Sequence, residues 1–181
     1  MKLSFGYGTG EQVVELPEKN LLAQLTANTI AHAHRGEDAV CYALEHPVGA
    51  GLLRESVRPH DTVAIVTSDI SRPFPSNEVL PLVLDELYAA GVSREQITVV
   101  FALGGHRRHS REEMIRLVGE RCFNEVRCVN SDPADCIHMG VTSRGTPVDV
   151  TRAVAEADRR ICLGNIEFHY FAGYSGGAKA I

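Results

Sequence analysis

The chain alternates between short segments with a strand pattern and longer segments with helical spacing. The strand segments are residues 62–67, 97–103, 125–130 and 160–163. In the first of them, TVAIVT, apolar and β-branched residues follow one another without a polar alternation. Such runs are typical of strands that are buried on both faces of a parallel sheet. The pattern therefore predicts a sheet whose strands lie in the interior of the molecule.

Helical segments lie between these strands. They cover residues 36–46, which Pro47 ends, residues 77–90, which Gly91 ends, and a segment that begins at Ser110. Ser110 and Glu113 have the spacing of a capping box, in which each side chain bonds a free N–H of the first helical turn. The βαβα order predicts an α/β fold with a mostly parallel, right-handed sheet and flanking helices.

Antiparallel hairpins are predicted outside this alternation. Lys2–Tyr7 and residues 12–16 form one hairpin around the turn at residues 8–10, while residues 136–143 and 146–150 form another. Residues 151–158 are predicted to form a short helix. His32 and His34, which lie before the first helix of the alternation, are expected to be exposed.

Composition and charge exclude several classes of protein. The 181 residues, with 44% hydrophobic and 23% charged residues, predict one globular domain over 1–181. A net charge of −5 without any basic run argues against nucleic acid or an anionic membrane as partner. The chain has no apolar run of membrane-spanning length and no signal-peptide core, which predicts a cytoplasmic protein. Five cysteines without C-x-x-C spacing indicate free thiols.

Candidate chemistry follows the predicted strands instead of preceding them. Asp69 and Arg72 come after the first strand, His106 after the second, and Glu167 and His169 after the last. Parallel sheets bind ligands beyond the carboxyl ends of their strands, so these side chains are expected to meet at one edge. Arg72 offers a planar fork for a carboxylate or phosphate, and Asp69 can orient that fork or bind a hydroxyl. An imidazole can take and give a proton near neutral pH. A surface ion pair or a helix cap at Asp69 is the structural alternative.

The last residues of the chain combine a glycine-rich loop with a lysine. Gly173, Gly176 and Gly177 allow the backbone to approach a ligand closely, as phosphate-binding loops do, and Lys179 follows directly. A lysine in this position can pair with a phosphate or act as an amine nucleophile that joins a cofactor covalently. A glycine-rich surface turn with a solvated lysine remains the alternative.

Two standard motifs match this stretch incompletely. GYSGG has the G-x-S-x-G spacing of a nucleophile elbow around Ser175, but the preceding apolar run stops at Gly164 and no acid and histidine follow. The Walker A pattern fails because Ala178 separates Gly177 from the lysine. Metal ligation by the loop histidines is weakly indicated, since they lack carboxylates at ligand spacing. These histidines are His106, His109, His138 and His169.

Taken together, these segments resemble the N-terminal domain of the nickel-pincer-dependent lactate racemase family. The matching segments are SDISRP at 68–73, GHR at 105–107, EFHY at 167–170 and GGAK at 176–179. The resemblance runs in order along essentially the whole chain.

The resemblance implies the activity and the roles of the site residues. Lys179 would carry a pyridinium-derived nickel-pincer mononucleotide through a thioamide bond, next to Gly176 and Gly177. His106 and His169 would be the paired acid and base that racemise a 2-hydroxy acid, while a hydride passes to the cofactor. Asp69 and Arg72 would contact cofactor or substrate. Proteins that synthesise the cofactor are the implied partners.

The chain departs from the family pattern at its end. The nickel-ligating histidine and the domain that closes over the substrate would lie beyond Ile181, so this chain is expected to contain no metal ligand. It is expected to be a fragment of a longer enzyme, and inactive and without cofactor alone. Two other classes stay open: a non-catalytic phosphate- or nucleotide-binding module, and a serine hydrolase that uses the GYSGG turn.

Overall fold

The computed structural model describes residues 1–26, 28, 31 and 33–181. His32 therefore lies outside the described residues, and His34 is half-buried instead of exposed. The chain divides into two compact units, Met1–Ala33 and His34–Ile181. The assignment of residues 1–181 to a single domain stays a prediction.

The first unit is built on the predicted N-terminal hairpin. Strands β1 (Lys2–Tyr7) and β2 (Gly10–Glu15) pair antiparallel, with Tyr7 opposite Gly10. The second strand begins two residues earlier than predicted, because the pairing continues up to a tight turn at Gly8 and Thr9.

The second unit contains the remaining strands and helices. Its strands are β3 (Val63–Ser68), β4 (Ile97–Ala102), β5 (Arg127–Asn130), β6 (Cys136–Val141), β7 (Pro147–Thr151), β8 (Arg159–Leu163), β9 (Phe168–His169) and β10 (Gly173–Tyr174). Its helices are α1 (Gly36–Glu45), α2 (Leu53–Ser56), α3 (Ser76–Ala89), α4 (Arg111–Glu125) and α5 (Arg152–Ala155), with 3₁₀ turns at Arg94–Gln96 and Gly177–Ala180.

Four parallel strands form the central sheet, in the order β5-β4-β3-β8. The predicted α/β fold with a parallel sheet is confirmed. From β3 the chain moves outward to β4 and β5, and it then returns to the opposite side of β3 as β8. The direction of winding thus reverses between β3 and β8, and such a switch point leaves a crevice at the carboxyl ends of the strands.

Both faces of the sheet are covered, which explains the continuous apolar run in β3. Val63 and Ile65 pack into one cluster with α3 and α4, whereas Ala64 and Val66 pack into a second cluster with Val154 of α5. Successive residues of a strand point to opposite faces, so a strand buried on both sides has no polar position to alternate.

Helix α4 begins at the predicted capping box and is interrupted further along. The Glu113 N–H donates to Ser110 Oγ at 3.3 Å, and the Ser110 N–H donates to Glu113 Oε2 at 2.9 Å. Gly119 then leaves the helical conformation, with φ 80° and ψ 155°. Only glycine adopts this conformation without strain, so the helix is divided there.

The remaining segments differ from the prediction mainly in length. Strands β6 and β7 form the predicted hairpin, but the helix expected over 151–158 is only the single turn α5. The last stretch contains the short hairpin β9-β10, which was not predicted because its sequence has no alternation of apolar and polar residues. The cysteines all lie in the described part of the chain and are free, as predicted. Within the described residues, the structure contains no helix long and apolar enough to cross a membrane.

Candidate functional site

A cleft of about 430 Å³ opens at the carboxyl ends of β3, β4 and β8. The seven residues to which the family resemblance gave a role line this cleft, namely Asp69, Arg72, His106, His169, Gly176, Gly177 and Lys179. The cleft lies at the switch point of the sheet, where ligands of doubly wound folds bind.

Asp69 and His106 form a pair across the ends of two adjacent strands. Asp69 follows β3 and is 5% exposed, and its Oδ2 lies 3.1 Å from His106 Nδ1, in the loop after β4. Burial raises the pKa of the Asp69 carboxyl, but hydrogen bonds from Ser71 and the charge of His106 outweigh it and hold the pKa below its ordinary value. The carboxylate is therefore ionised at neutral pH. It keeps the proton of His106 on Nδ1 and leaves Nε2 for a ligand.

Arg72 belongs to the same turn but does not pair with Asp69. Its backbone N–H donates to the Asp69 carbonyl at 3.1 Å, which closes the turn after β3. Arg72 is exposed and lines the cleft, and its guanidinium makes no hydrogen bond or ion pair to the described residues. The carboxylate of Asp69 therefore pairs with His106 and not with Arg72. The guanidinium fork is free for a carboxylate or phosphate.

His169 is oriented by backbone groups. Its Nδ1 accepts hydrogen bonds from the N–H groups of Phe171 at 3.2 Å and Ala172 at 3.1 Å. Because Nδ1 acts as the acceptor, the neutral ring carries its proton on Nε2. The ring is thus held by the turn between β9 and β10. The tyrosine that follows, Tyr170, stacks on the imidazole with 5.1 Å between ring centroids.

The hydroxyl of Ser175 is part of the scaffold of the loop. Its Oγ accepts from the Glu167 N–H at 2.9 Å and donates to the Asn165 carbonyl at 3.0 Å. The Ser175 N–H in turn donates to the Glu167 carbonyl at 2.9 Å. These bonds tie the segment after β8 to the glycine-rich loop. They leave the hydroxyl without the histidine base that a nucleophilic serine requires.

The glycine-rich loop approaches the end of β8 closely. Gly176 has φ 85°, and a Cβ at this position would lie 3.1 Å from the Asn165 carbonyl oxygen. Asn165 Nδ2 is buried and has no hydrogen-bond partner within the described residues. Lys179 follows in the turn Gly177–Ala180, is exposed and lines the cleft. Its ammonium group makes no ion pair to any described residue.

Sequence reasoning missed the contribution of the hairpin β6-β7 to the cleft. Cys136, Asp149 and Thr151 of this hairpin line the cleft, together with Ser131, which follows β5. No local pattern marks them, because their place depends on how the hairpin packs beside the sheet. His138 of the same hairpin pairs with Asp149 at 2.8 Å.

The four histidines considered as metal ligands do not gather with other ligand residues in the described part of the chain, and His138 lies in strand β6. His109 accepts a backbone N–H and His138 pairs with Asp149. Over residues 1–26, 28, 31 and 33–181, no three His, Cys, Asp or Glu side chains lie close enough together to hold a metal ion.

The fold is that of a doubly wound α/β domain with a cleft at its switch point. A family model described as the lactate racemase N-terminal domain matches residues 7–181. The chain belongs to this family.

Individual relatives agree with this assignment. The chain is 32% identical over 180 residues to a lactate racemase of Thermoanaerobacterium thermosaccharolyticum, covering 97% of this chain and 42% of the relative. It is 29% identical over 172 residues to a lactate racemase of Lactiplantibacillus plantarum, covering 92% of this chain and 40% of the relative.

A solved structure also matches. The chain is similar to the lactate racemase apoprotein of T. thermosaccharolyticum, with a TM-score of 0.83, 29% sequence identity and coverage of 99% of this chain and 42% of that one. The chain thus spans about two fifths of the length of these relatives.

Proposed function

We propose that this chain is the cofactor-anchoring domain of a lactate racemase-like enzyme that racemises or epimerises a small 2-hydroxy acid. The observation that carries the proposal is the presence of two separately oriented histidines, His106 and His169, in one cleft with Arg72 and Lys179.

Racemisation passes through a planar intermediate, and it needs a proton carrier on each face of that plane. Removing hydrogen from a 2-hydroxy acid leaves a planar keto acid, and the reverse step must be possible from either face. Each histidine can serve one direction as base and the other as acid. His106 presents an unprotonated Nε2 because Asp69 holds the proton on Nδ1. His169 carries its proton on Nε2 while two backbone N–H groups bond Nδ1, so it is poised as a donor at Nε2 and acts as a base there only after those bonds are released and the proton moves to Nδ1.

Arg72 suits the carboxylate that all 2-hydroxy acids share. A guanidinium binds a carboxylate through two parallel hydrogen bonds, which fixes both position and orientation. The Arg72 backbone is held by Asp69, so the carboxylate-binding group and the His106 orienter belong to one turn. This arrangement would keep the substrate at a constant distance from His106.

The residues of the cleft fit a lysine-linked nickel-pincer nucleotide. Lys179 offers an exposed amine without an ion-pair partner among the described residues, and at Gly177, which also lines the cleft, a Cβ would meet nothing within 4 Å. The glycine N–H groups and Arg72 can bind a phosphate. When bound, the nucleotide supplies the hydride acceptor. Loading it requires the cofactor-synthesis proteins as partners.

The two alternatives fit less well. A phosphate- or nucleotide-binding module would use the glycine loop and Lys179, but it would not need two oriented histidines. A serine hydrolase would need Ser175 as nucleophile, and this hydroxyl is already bonded to Asn165 and Glu167.

The kinetic test uses the full-length protein loaded with cofactor. His106→Ala and His169→Ala should each lower kcat in both directions by about 10²- to 10⁴-fold, the usual contribution of a general acid or base, while substrate KM changes less. His60→Ala, an exposed histidine outside the cleft, is the matched control. Near-normal rates in both directions for either cleft variant would refute the two-base proposal.

A second test follows the covalent anchor. Intact mass of the full-length protein, produced together with the cofactor-synthesis proteins, should show a cofactor-sized increment on Lys179 that Lys179→Arg abolishes. The 181-residue chain alone should carry neither this increment nor stoichiometric nickel. An increment that persists in Lys179→Arg would place the anchor elsewhere.

A further inference from the structure

His109 is a buried histidine that none of the proposed catalytic steps uses. It is 6% exposed and lies at the end of the loop that carries His106. Its Nε2 accepts a hydrogen bond from the Ile70 N–H at 3.2 Å. Ile70 directly follows Asp69, so the imidazole reaches from the end of β4 to the turn after β3.

Asn130 fixes the backbone of His109 from a third strand. The His109 N–H donates to Asn130 Oδ1 at 3.2 Å, and Asn130 Nδ2 donates to the His109 carbonyl at 3.1 Å. Asn130 is the last residue of β5. One chain of hydrogen bonds therefore connects the carboxyl ends of β5, β4 and β3.

The acceptor role of His109 determines its protonation state. Nε2 must be unprotonated to accept, so the neutral ring carries its proton on Nδ1, which is buried without a partner among the described residues. Burial lowers the pKa of His109; Glu113 and Asp69 act to raise it, whereas Arg107 and His106 act to lower it. The ring also contacts Phe101 edge-on, with 5.3 Å between centroids.

The turn that His109 holds is the one that carries the Asp69 carboxylate. The Ser71 N–H donates to Asp69 Oδ1 at 2.7 Å, and the Arg72 N–H donates to the Asp69 carbonyl at 3.1 Å. The Ile70 N–H is the intervening donor, and it points to His109. Without this acceptor, a backbone donor would lose its partner next to the site, and the turn would be free to rotate.

We propose that His109 is a positioning residue: as a neutral acceptor it holds the turn Asp69–Arg72 so that the Asp69 carboxylate reaches His106 and the Arg72 guanidinium faces the substrate. The expected loss of kcat rests on the proposed function, whereas the expected change in the contact between Asp69 and His106 does not.

The test compares two substitutions in the full-length, cofactor-loaded protein. In His109→Gln the amide oxygen can still accept from Ile70, whereas His109→Leu fills similar space without an acceptor. We expect His109→Leu to lower kcat by about 10- to 100-fold, as a misplacement of about 1 Å does, and His109→Gln to stay within about threefold of the parent. Substrate KM should rise in His109→Leu, because the Arg72 guanidinium is no longer held towards the substrate carboxylate, and should stay within about threefold of the parent in His109→Gln. His60→Leu serves as the exposed control.

Crystal structures of the same variants separate the possible failures. The contact between Asp69 Oδ2 and His106 Nδ1 should persist in His109→Gln and be lost in His109→Leu. If the parent enzyme lacks racemase activity but these structures behave as expected, the proposed function fails and the positioning role stands.

Two outcomes overturn the positioning role itself. One is an unchanged contact together with unchanged kcat in His109→Leu. If His109→Leu does not fold, His109→Gln decides alone: a loss of kcat as large as that of His106→Ala, in a protein whose Ile70 N–H still has its acceptor, would show that the ring does more than accept a hydrogen bond.

Discussion

The two sides of the cleft are built in different ways. The side formed after β3 and β4 is anchored in the core: Asp69 and His109 are buried, and each bonds a residue in the segment that follows the neighbouring strand. The side formed after β8 is a short hairpin whose aromatic residues Phe168, Tyr170 and Phe171 are 88%, 88% and 86% exposed.

The two histidines of the cleft are therefore oriented by different kinds of contact. His106 depends on a side chain that a distant segment supplies, so its geometry is determined by the packing of the sheet. His169 depends on N–H groups two and three residues away, so its geometry is determined by the local turn. Changes to the core should therefore affect the first histidine, and changes to the backbone of the loop should affect the second.

The largest expected effect comes from the core that supports the first side. Leu84 of α3 is fully buried against the sheet, and Leu84→Ala should lower the free energy of unfolding by about 2–5 kcal/mol. Phe168→Ala, on the exposed side, should change it by less than about 0.5 kcal/mol. Urea denaturation measures both, and a large loss for Phe168→Ala would mean that the aromatic residues of the hairpin are buried in solution.

A smaller, local effect is expected in the glycine loop. Gly176→Ala places a Cβ 3.1 Å from the Asn165 carbonyl oxygen at φ 85°, a strain of about 1–3 kcal/mol. Amide hydrogen exchange should become faster for Ser175, whose N–H bonds Glu167, while the exchange of β3 stays the same. Gly105→Ala is the control, since a Cβ there meets nothing within 4 Å and φ is not positive. Equal protection of Ser175 in both variants would contradict the described loop.

The capping box of α4 gives an effect of about 1 kcal/mol. Ser110→Ala removes the acceptor of the Glu113 N–H and should lower the free energy of unfolding by about that amount. Ser143→Ala, at an exposed position in the turn between β6 and β7, should be neutral. Thermal denaturation compares the two, and indistinguishable melting temperatures would show that the cap does not hold the end of the His106 loop.

The smallest expected effect is a pH dependence of stability from His109. Its pKa in the folded state lies below the ordinary value of 6.5. The unfolded chain therefore binds a proton at a higher pH than the folded chain does, so this contribution to stability is present above pH 6.5 and declines as the pH falls through the folded pKa. His109→Gln should show a shallower loss of stability below pH 6.5, measured by urea denaturation at several pH values. A parallel decline in both proteins would exclude His109 as the source.

Local patterns predicted much of the fold. The apolar run at β3 identified a strand buried on both faces, and Ser110 with Glu113 identified the start of α4. Both features depend on residues that are close together in the sequence. The position of candidate residues after each strand also predicted one shared edge, since parallel strands all end there. The roles of His106, His169 and Lys179 stay predictions.

The residues that orient the site could not be predicted in the same way. Asp69 was expected beside Arg72, three residues away, but its carboxylate contacts His106, 37 positions further along, because β3 and β4 are neighbours in the sheet. His109 had been considered only as a metal ligand, although it bonds Ile70. The hairpin β9-β10 was missed because its hydrogen bonds, and not an apolar face, define it.

The sequence alone determined the order of strands and helices, the buried runs, the capping box and the set of polar residues that follow the strands. These features depend on side chains close together along the chain. Only the tertiary structure decided which of those polar residues touch, that β8 lies beside β3, and that β6-β7 adds Asp149 to the cleft. Contacts between residues far apart in the chain depend on how whole elements pack, and no short pattern of residues records that packing.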